Sequence, residues 1–133
     1  MRVPGIRGEL YFHILARDRR LHYGDNRLVE VGKELKARKM DPWYHQPYPV
    51  LCSFGMHGSA RFIDAVGYRF PERGYWVCVV RIWGHLDIGN DKVCGDRRRV
   101  IAMRQVENNK EIRFLTHEDT TDRMVYEWVM RAS

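Results

Sequence analysis

The run Tyr75-Trp76-Val77-Cys78-Val79-Val80-Arg81-Ile82-Trp83 constrains the fold more than any other segment. β-Branched and aromatic residues fill nearly every position, and apolar side chains fall on both parities, as in a strand buried on both faces. Such a strand belongs in the middle of a sheet. Gly84 and Gly89-Asn90-Asp91 then permit a bend, and Arg98-Arg99-Val100-Ile101-Ala102-Met103 returns as a strand, so an antiparallel pair is expected. Leu10 to Leu15 is also mostly apolar and reads as a central first strand, ending at the charged Arg17-Asp18-Arg19-Arg20. Leu21-His22-Tyr23 and Arg27 to Val31, around Gly24-Asp25-Asn26, read as a short, partly exposed hairpin closed by Gly32.

Two segments carry helical spacing. Ser59 is placed to cap a short helix with Phe62, Ile63 and Val66 on one side, and Gly67 and Pro71 limit its far end. Near the C-terminus Thr116 can cap, Glu118, Asp119 and Asp122 lie near the positive dipole end, and Arg131 lies near the negative end. Met124, Val125, Trp128 and Val129 would form the buried stripe of that helix. The expected architecture is α+β: a mostly antiparallel sheet with one short central helix and a C-terminal helix. At 133 residues the chain lies below the roughly 150-residue norm, so a single domain over residues 1–133 is expected.

Composition narrows the function. Twenty-three Lys and Arg against 17 Asp and Glu give a net charge of +6, which excludes an acidic DNA mimic and favours a polyanionic partner. The longest apolar run, Tyr75 to Val80, is far short of the roughly 20 residues needed to cross a bilayer, and no secretory h-region follows the basic N-terminus. A cytoplasmic location in a bacterial host cell and no membrane partner are expected. Cys52, Cys78 and Cys94 are an odd, widely spaced set, a poor disulfide framework that agrees with buried free thiols in a reducing compartment.

Three places carry potential chemistry. The basic clusters with Lys36, Lys39 and Arg97-Arg98-Arg99, together with Trp43 and Tyr44 in the Pro-rich stretch from Met40 to Val50, suit phosphate contacts and base stacking. Cys52-Ser53-Phe54-Gly55-Met56-His57-Gly58-Ser59 carries glycines on both sides of Met56-His57 ahead of a helix, a local pattern suited to holding an anion on free helix amides. Its structural alternative is a glycine loop entering a helix while His57 bonds a backbone carbonyl. Cys52, His57, Cys78 and Cys94 are zinc-ligand types, but no CxxC or HxxxH pair occurs and Cys78 lies in an apolar strand, so no metal is expected. Walker, Rossmann and GxSxG signatures are absent, and no cofactor is expected.

Val31-Gly32-Lys33, then Leu51-Cys52 with Gly55-Met56-His57-Gly58-Ser59, then Ile63-Asp64-Ala65 with Tyr68, then Cys78-Val79-Val80 leading to Gly84, then Asp91-Lys92 before Arg99, together resemble a family of small phage- and prophage-encoded proteins of no assigned activity. The resemblance covers roughly residues 9–104. It implies a mobile-element accessory protein, for which inhibiting a host defence or nucleoprotein complex, as anti-CRISPR proteins do, is a common role. Residues 105–133 fall outside it and read as a C-terminal extension whose helix would serve a partner or a homodimer. A glycine-flanked His57 before a helix bearing Ala65 and Tyr68 is also similar to the central part of ADP-ribosyltransferase domains, although no Ser-Thr-Ser segment or paired-glutamate motif is present.

The leading expectation is therefore a non-enzymatic binding protein. It would engage nucleic acid, a host protein or a host nucleoprotein complex through Arg97, Arg98, Arg99, Lys36, Lys39, Trp43 and Tyr44. The alternatives are a nucleotide-using enzyme with His57 and Tyr68 at its site, and a virion or structural subunit.

Overall fold

The computed structural model describes residues 10–21, 26–37, 56–67 and 73–132. Along the described chain the elements are β1 Leu10–Leu15, β2 Glu34–Lys36, β3 Met56–Gly58, α1 Phe62–Val66, β4 Trp76–Trp83, β5 Asp87–Ile88, β6 Val93–Gly95, β7 Arg97–Gln105, α2 Asn109–Thr116 and α3 Asp122–Met130. The fold is α+β, with antiparallel sheets, a short central helix and a C-terminal helix, as expected from the sequence.

β4 is central in a four-stranded antiparallel sheet of order β1-β4-β7-β2. Val77, Cys78, Val79 and Val80 have no exposed surface, because helices cover one face of β4 and a second sheet covers the other. β1 was expected to be central and instead ends the sheet. Its apolar character survives there because Phe12 exchanges two backbone hydrogen bonds with Ser59 (2.7 and 2.8 Å), which closes the outer side of the strand. The expected hairpin forms at its base through an Arg20–Leu28 bridge, and Val29 is buried.

The second sheet, of order β3-β6-β5, lies against the face of the first that carries Tyr11, Cys78, Val80, Ile82 and Val100. Glycine sets how close it comes. A Cβ on Gly58 would lie 2.8 Å from Ile82 Cδ1, and one on Gly95 would lie 2.6 Å from Ile82 Cγ2.

On the opposite face, Leu10, Phe12, Ile14, Val77, Val79 and Ala102 pack beneath Phe62 and Ala65 of α1 and Val125, Trp128 and Val129 of α3. The Phe12 and Phe62 rings are 5.6 Å apart, a tilted aromatic contact. Within the expected C-terminal extension, α3 supplies part of the principal core.

Helix boundaries differ from expectation in two places. Ser59 does not cap α1; it is buried in the bridge to Phe12, Arg61 occupies the cap, and the Phe62 amide donates to Asp122 Oδ1 at 3.0 Å. Thr116 does not open the last helix but closes α2, with its hydroxyl donating to the Ile112 carbonyl at 2.7 Å. α3 is capped by Thr121, whose Oγ1 accepts from the Met124 amide at 3.2 Å. Met124 is 40% exposed as a result, while Val125, Trp128 and Val129 are buried as the spacing indicates.

Candidate nucleic-acid interface

A strand turns successive side chains to opposite faces, so three consecutive arginines cannot act as one patch. Arg97 and Arg99 lie on the helix-bearing face of the main sheet, beyond the area the helices cover, and Arg98 lies on the other face. The residues paired with Arg97 and Arg99 complete the surface. Trp83 and Lys36 stand opposite Arg97, and Arg81 and Glu34 stand opposite Arg99. Two cross-strand rows result: Trp83-Arg97-Lys36 and Arg81-Arg99-Glu34.

The electrostatics of these rows are unusual. Directly opposed side chains sit with Cβ atoms about 5 Å apart, and like charges so placed destabilise a sheet. Here Arg81 opposes Arg99 and Lys36 opposes Arg97, with Glu34 as the counter-charge within the rows. Glu34 takes a short ion pair with Arg97 (Nη1 to Oε2, 2.6 Å) and a long one with Arg99 (3.9 Å). The Arg97 and Arg99 side chains are 43% exposed, so these pairs contribute little to stability. The Arg81 guanidinium lies over the Trp83 ring, 4.4 Å from its centroid. The Nε atoms of Arg81 and Arg99 are buried and have no hydrogen-bond partner among the described residues. Among the described residues these rows set four cations against one carboxylate beside a half-buried indole, an excess of positive charge that suits an anion with a stacking group attached.

Arg98 has a different setting. It is 3% exposed, its Nη1 donates to the His57 carbonyl at 2.9 Å, and burial lowers its pKa to about 10, against a smaller raising effect from Cys78. Burial pushes the Cys78 thiol up to about 12, so it stays protonated and unreactive at neutral pH. Burial first, then Arg98 and His57, holds His13 well below the ordinary histidine value.

The glycine-flanked segment also takes another form. His57 sits in β3 opposite Cys94, within a sheet, and not on a loop feeding a helix N-terminus. α1 has five residues and its first amide is engaged by Asp122, so the expected anion cradle on free helix amides does not form. Cys78 and Cys94 are buried free thiols. Among the described residues no three His, Cys, Asp or Glu side chains converge closely enough to hold a metal ion. Lys39, Trp43, Tyr44, Cys52 and Tyr68 lie outside the described residues.

Of the binding residues expected from the sequence, Arg97, Arg99 and Lys36 share this face and Arg98 lies on the other, while Arg81 and Trp83, which the sequence did not single out, stand beside them. The missed signal is the single charge inside an otherwise apolar strand: Arg81 shares parity with Trp83 at the strand's exposed end. Arg104 follows in the same strand as Arg97 and Arg99 but serves the fold. Its guanidinium lies 4.4 Å from the Trp128 ring centroid, Nη1 donates to the Trp128 carbonyl at 3.0 Å, and Nη2 lies 3.8 Å from Glu111.

Fold and site together define a two-sheet α+β protein with a cationic, tryptophan-bearing sheet face. The chain matches no family model, no curated protein and no solved structure. No described helix is long and apolar enough to cross a membrane.

Proposed function

We propose that this chain is a phage-type accessory binding protein that engages nucleic acid, free or held in a host nucleoprotein complex, through Arg81, Trp83, Arg97, Arg99 and Lys36. In a host cell such a contact would serve to obstruct a defence or nucleic-acid-handling complex. The observation that carries this reading is the pairing of Arg81 with Arg99 and of Lys36 with Arg97 directly across the strands. Phosphates would relieve that repulsion.

The surface suits single strands better than duplex. It is a sheet face carrying an indole, a platform on which unpaired bases can stack, and among the described residues no helix or ribbon stands out from it to enter a groove. Arg97 and Arg99 are two residues apart on one strand, about 6.6 Å, which is close to the reach between neighbouring phosphates of an extended strand.

Photocrosslinking with an oligonucleotide carrying 5-bromouracil tests the site. The expected crosslinks fall on peptides containing Trp83 and on the Arg97–Arg99 segment. Crosslinks confined to α2 and α3, or none above a denatured control, would overturn the proposal.

A further inference from the structure

β4 begins and ends with a tryptophan, and an arginine lies over each. Arg81 lies over Trp83, and at the other end the Arg19 guanidinium lies 5.6 Å from the ring centroid of half-buried Trp76. The Trp76 indole is pinned, because its Nε1 donates to the Arg17 carbonyl at 3.2 Å. Trp76 pairs with Gln105 and shares a face of the sheet with Cys78, Val80 and Ile82, opposite to Trp83. The two rings stand about 23 Å apart along the strand, on opposite faces.

Among the described residues Arg19 is the only non-glycine with a positive φ, 60°. The left-handed region disfavours a long side chain, and glycine would take this turn at lower cost. The backbone is held there by the Arg19 amide on the Ala16 carbonyl (2.9 Å) and the Val29 amide on the Arg19 carbonyl (2.7 Å). What arginine adds at this position is a guanidinium laid across Trp76. More positive charge gathers beside it. The Arg17 side chain crosses Gly74, where a Cβ would lie 3.1 Å from Arg17 Cδ. Residues 17–21 and 26–30 together carry four arginines, Arg17, Arg19, Arg20 and Arg27, against Asp18 and Glu30. No carboxylate of a described residue forms an ion pair with Arg19.

We infer that Arg19 and Trp76, with exposed Arg17 and Arg20 beside them, form a second contact for single-stranded nucleic acid, so that one molecule holds two separate segments. The outer plane of a guanidinium already stacked on an indole takes a base, and the neighbouring cations take its phosphates. An acidic peptide would meet the charge and leave that plane unused. This contact rests on the sheet-face reading only for its ligand class. It lies on the other face and at the other end of β4, so either can fail alone.

Photocrosslinking with a 5-bromouracil pentanucleotide, followed by trypsin, separates the two contacts. Cleavage after Arg73, Arg81 and Lys92 leaves Trp76 in peptide 74–81 and Trp83 in peptide 82–92. Crosslinks are expected on both peptides, and native mass spectrometry should show two oligonucleotides bound. Arg19→Gly suits the left-handed backbone, so Tm should hold or rise while the crosslink on 74–81 falls several-fold and that on 82–92 stays. Arg97→Gln/Arg99→Gln should do the reverse. No crosslink on 74–81 in the unaltered protein, or one that Arg19→Gly leaves intact, would overturn the second contact. So would displacement of that crosslink by pentaglutamate as readily as by unlabelled pentanucleotide. A crosslink on 74–81 alone would uphold this contact and overturn the sheet face.

Discussion

The helix-bearing face of the main sheet has two halves that differ in what lies above them. One half carries Phe12, Ile14, Val77, Val79 and Ala102 and is sealed by α1 and α3. The other carries Arg81, Trp83, Arg97, Arg99, Glu34 and Lys36, and no described helix covers it. Both halves share strands and hydrogen-bond ladders, so backbone pairing cannot account for the difference. Side-chain chemistry does: each large apolar side chain buried contributes about 1.5–3 kcal/mol, which draws helices over the first half and not over the second. The first half holds the fold together, and the second tolerates repulsion that a purely structural surface would avoid.

The largest expected effect lies in the sealed half. Trp128→Ala removes a buried indole and the ring under Arg104, and should cost about 3–5 kcal/mol in urea unfolding. Oligonucleotide affinity at temperatures where this variant remains folded should stay near that of the unaltered protein. In the open half the balance reverses. Arg81→Gln/Arg97→Gln/Arg99→Gln should weaken oligonucleotide binding by roughly 10–100-fold at moderate salt, through lost counterion release. Its unfolding midpoint should hold or rise, because opposed like charges are removed.

A pH prediction separates the two layers of the sheet. His13 is held well below its ordinary value in the folded protein by burial, Arg98 and His57, while the unfolded chain protonates it near pH 6.5. The stability from this neutral histidine is fully present above that pH. It is lost as the pH falls toward the folded value, by up to about 1.4 kcal/mol per pH unit. His13→Asn should flatten this dependence in denaturant titrations at pH 7 and pH 5. The smallest effect is that of Glu34→Gln. Its half-exposed ion pairs are worth about 0–1 kcal/mol, so stability should barely change, while oligonucleotide affinity should rise a few-fold as Arg97 and Arg99 are released.

The sealed half was readable from sequence because burial leaves periodic patterns. Tyr75 to Trp83 declares a central strand, and Val125, Trp128 and Val129 repeat at helical spacing. The role of Ser59 was not readable, since a serine before a helical run also suits a cap, and only the fold brings Phe12 beside it. α2 was missed: its core contribution rests on Leu115, with Ile112 and Phe114 partly buried, too few positions to announce a stripe. The second sheet is built from strands of two or three residues, shorter than any period can reveal.

The open half was half legible for a related reason. A basic run announces charge, but charge does not reveal which parity faces solvent. Leu35 buried between Glu34 and Lys36, and Val100 buried beside Arg99, fix that parity only once the strands are paired. Arg98 then falls inside, and Arg81 and Trp83, distant in sequence, become neighbours of Arg97 and Arg99.

The most direct test is the salt dependence of fluorescence anisotropy for a labelled single-stranded oligonucleotide. It would be measured on the unaltered protein, on Arg97→Gln/Arg99→Gln and, where it folds, on Arg98→Met. Two to four phosphate contacts should give a slope of log affinity against log salt of about −1.4 to −2.8, falling in magnitude by about 0.7 for each interface arginine removed and unchanged in Arg98→Met. Salt-independent binding, or a slope that Arg98→Met lowers while Arg97→Gln/Arg99→Gln leaves it intact, would contradict the assignment of this sheet face as the interface.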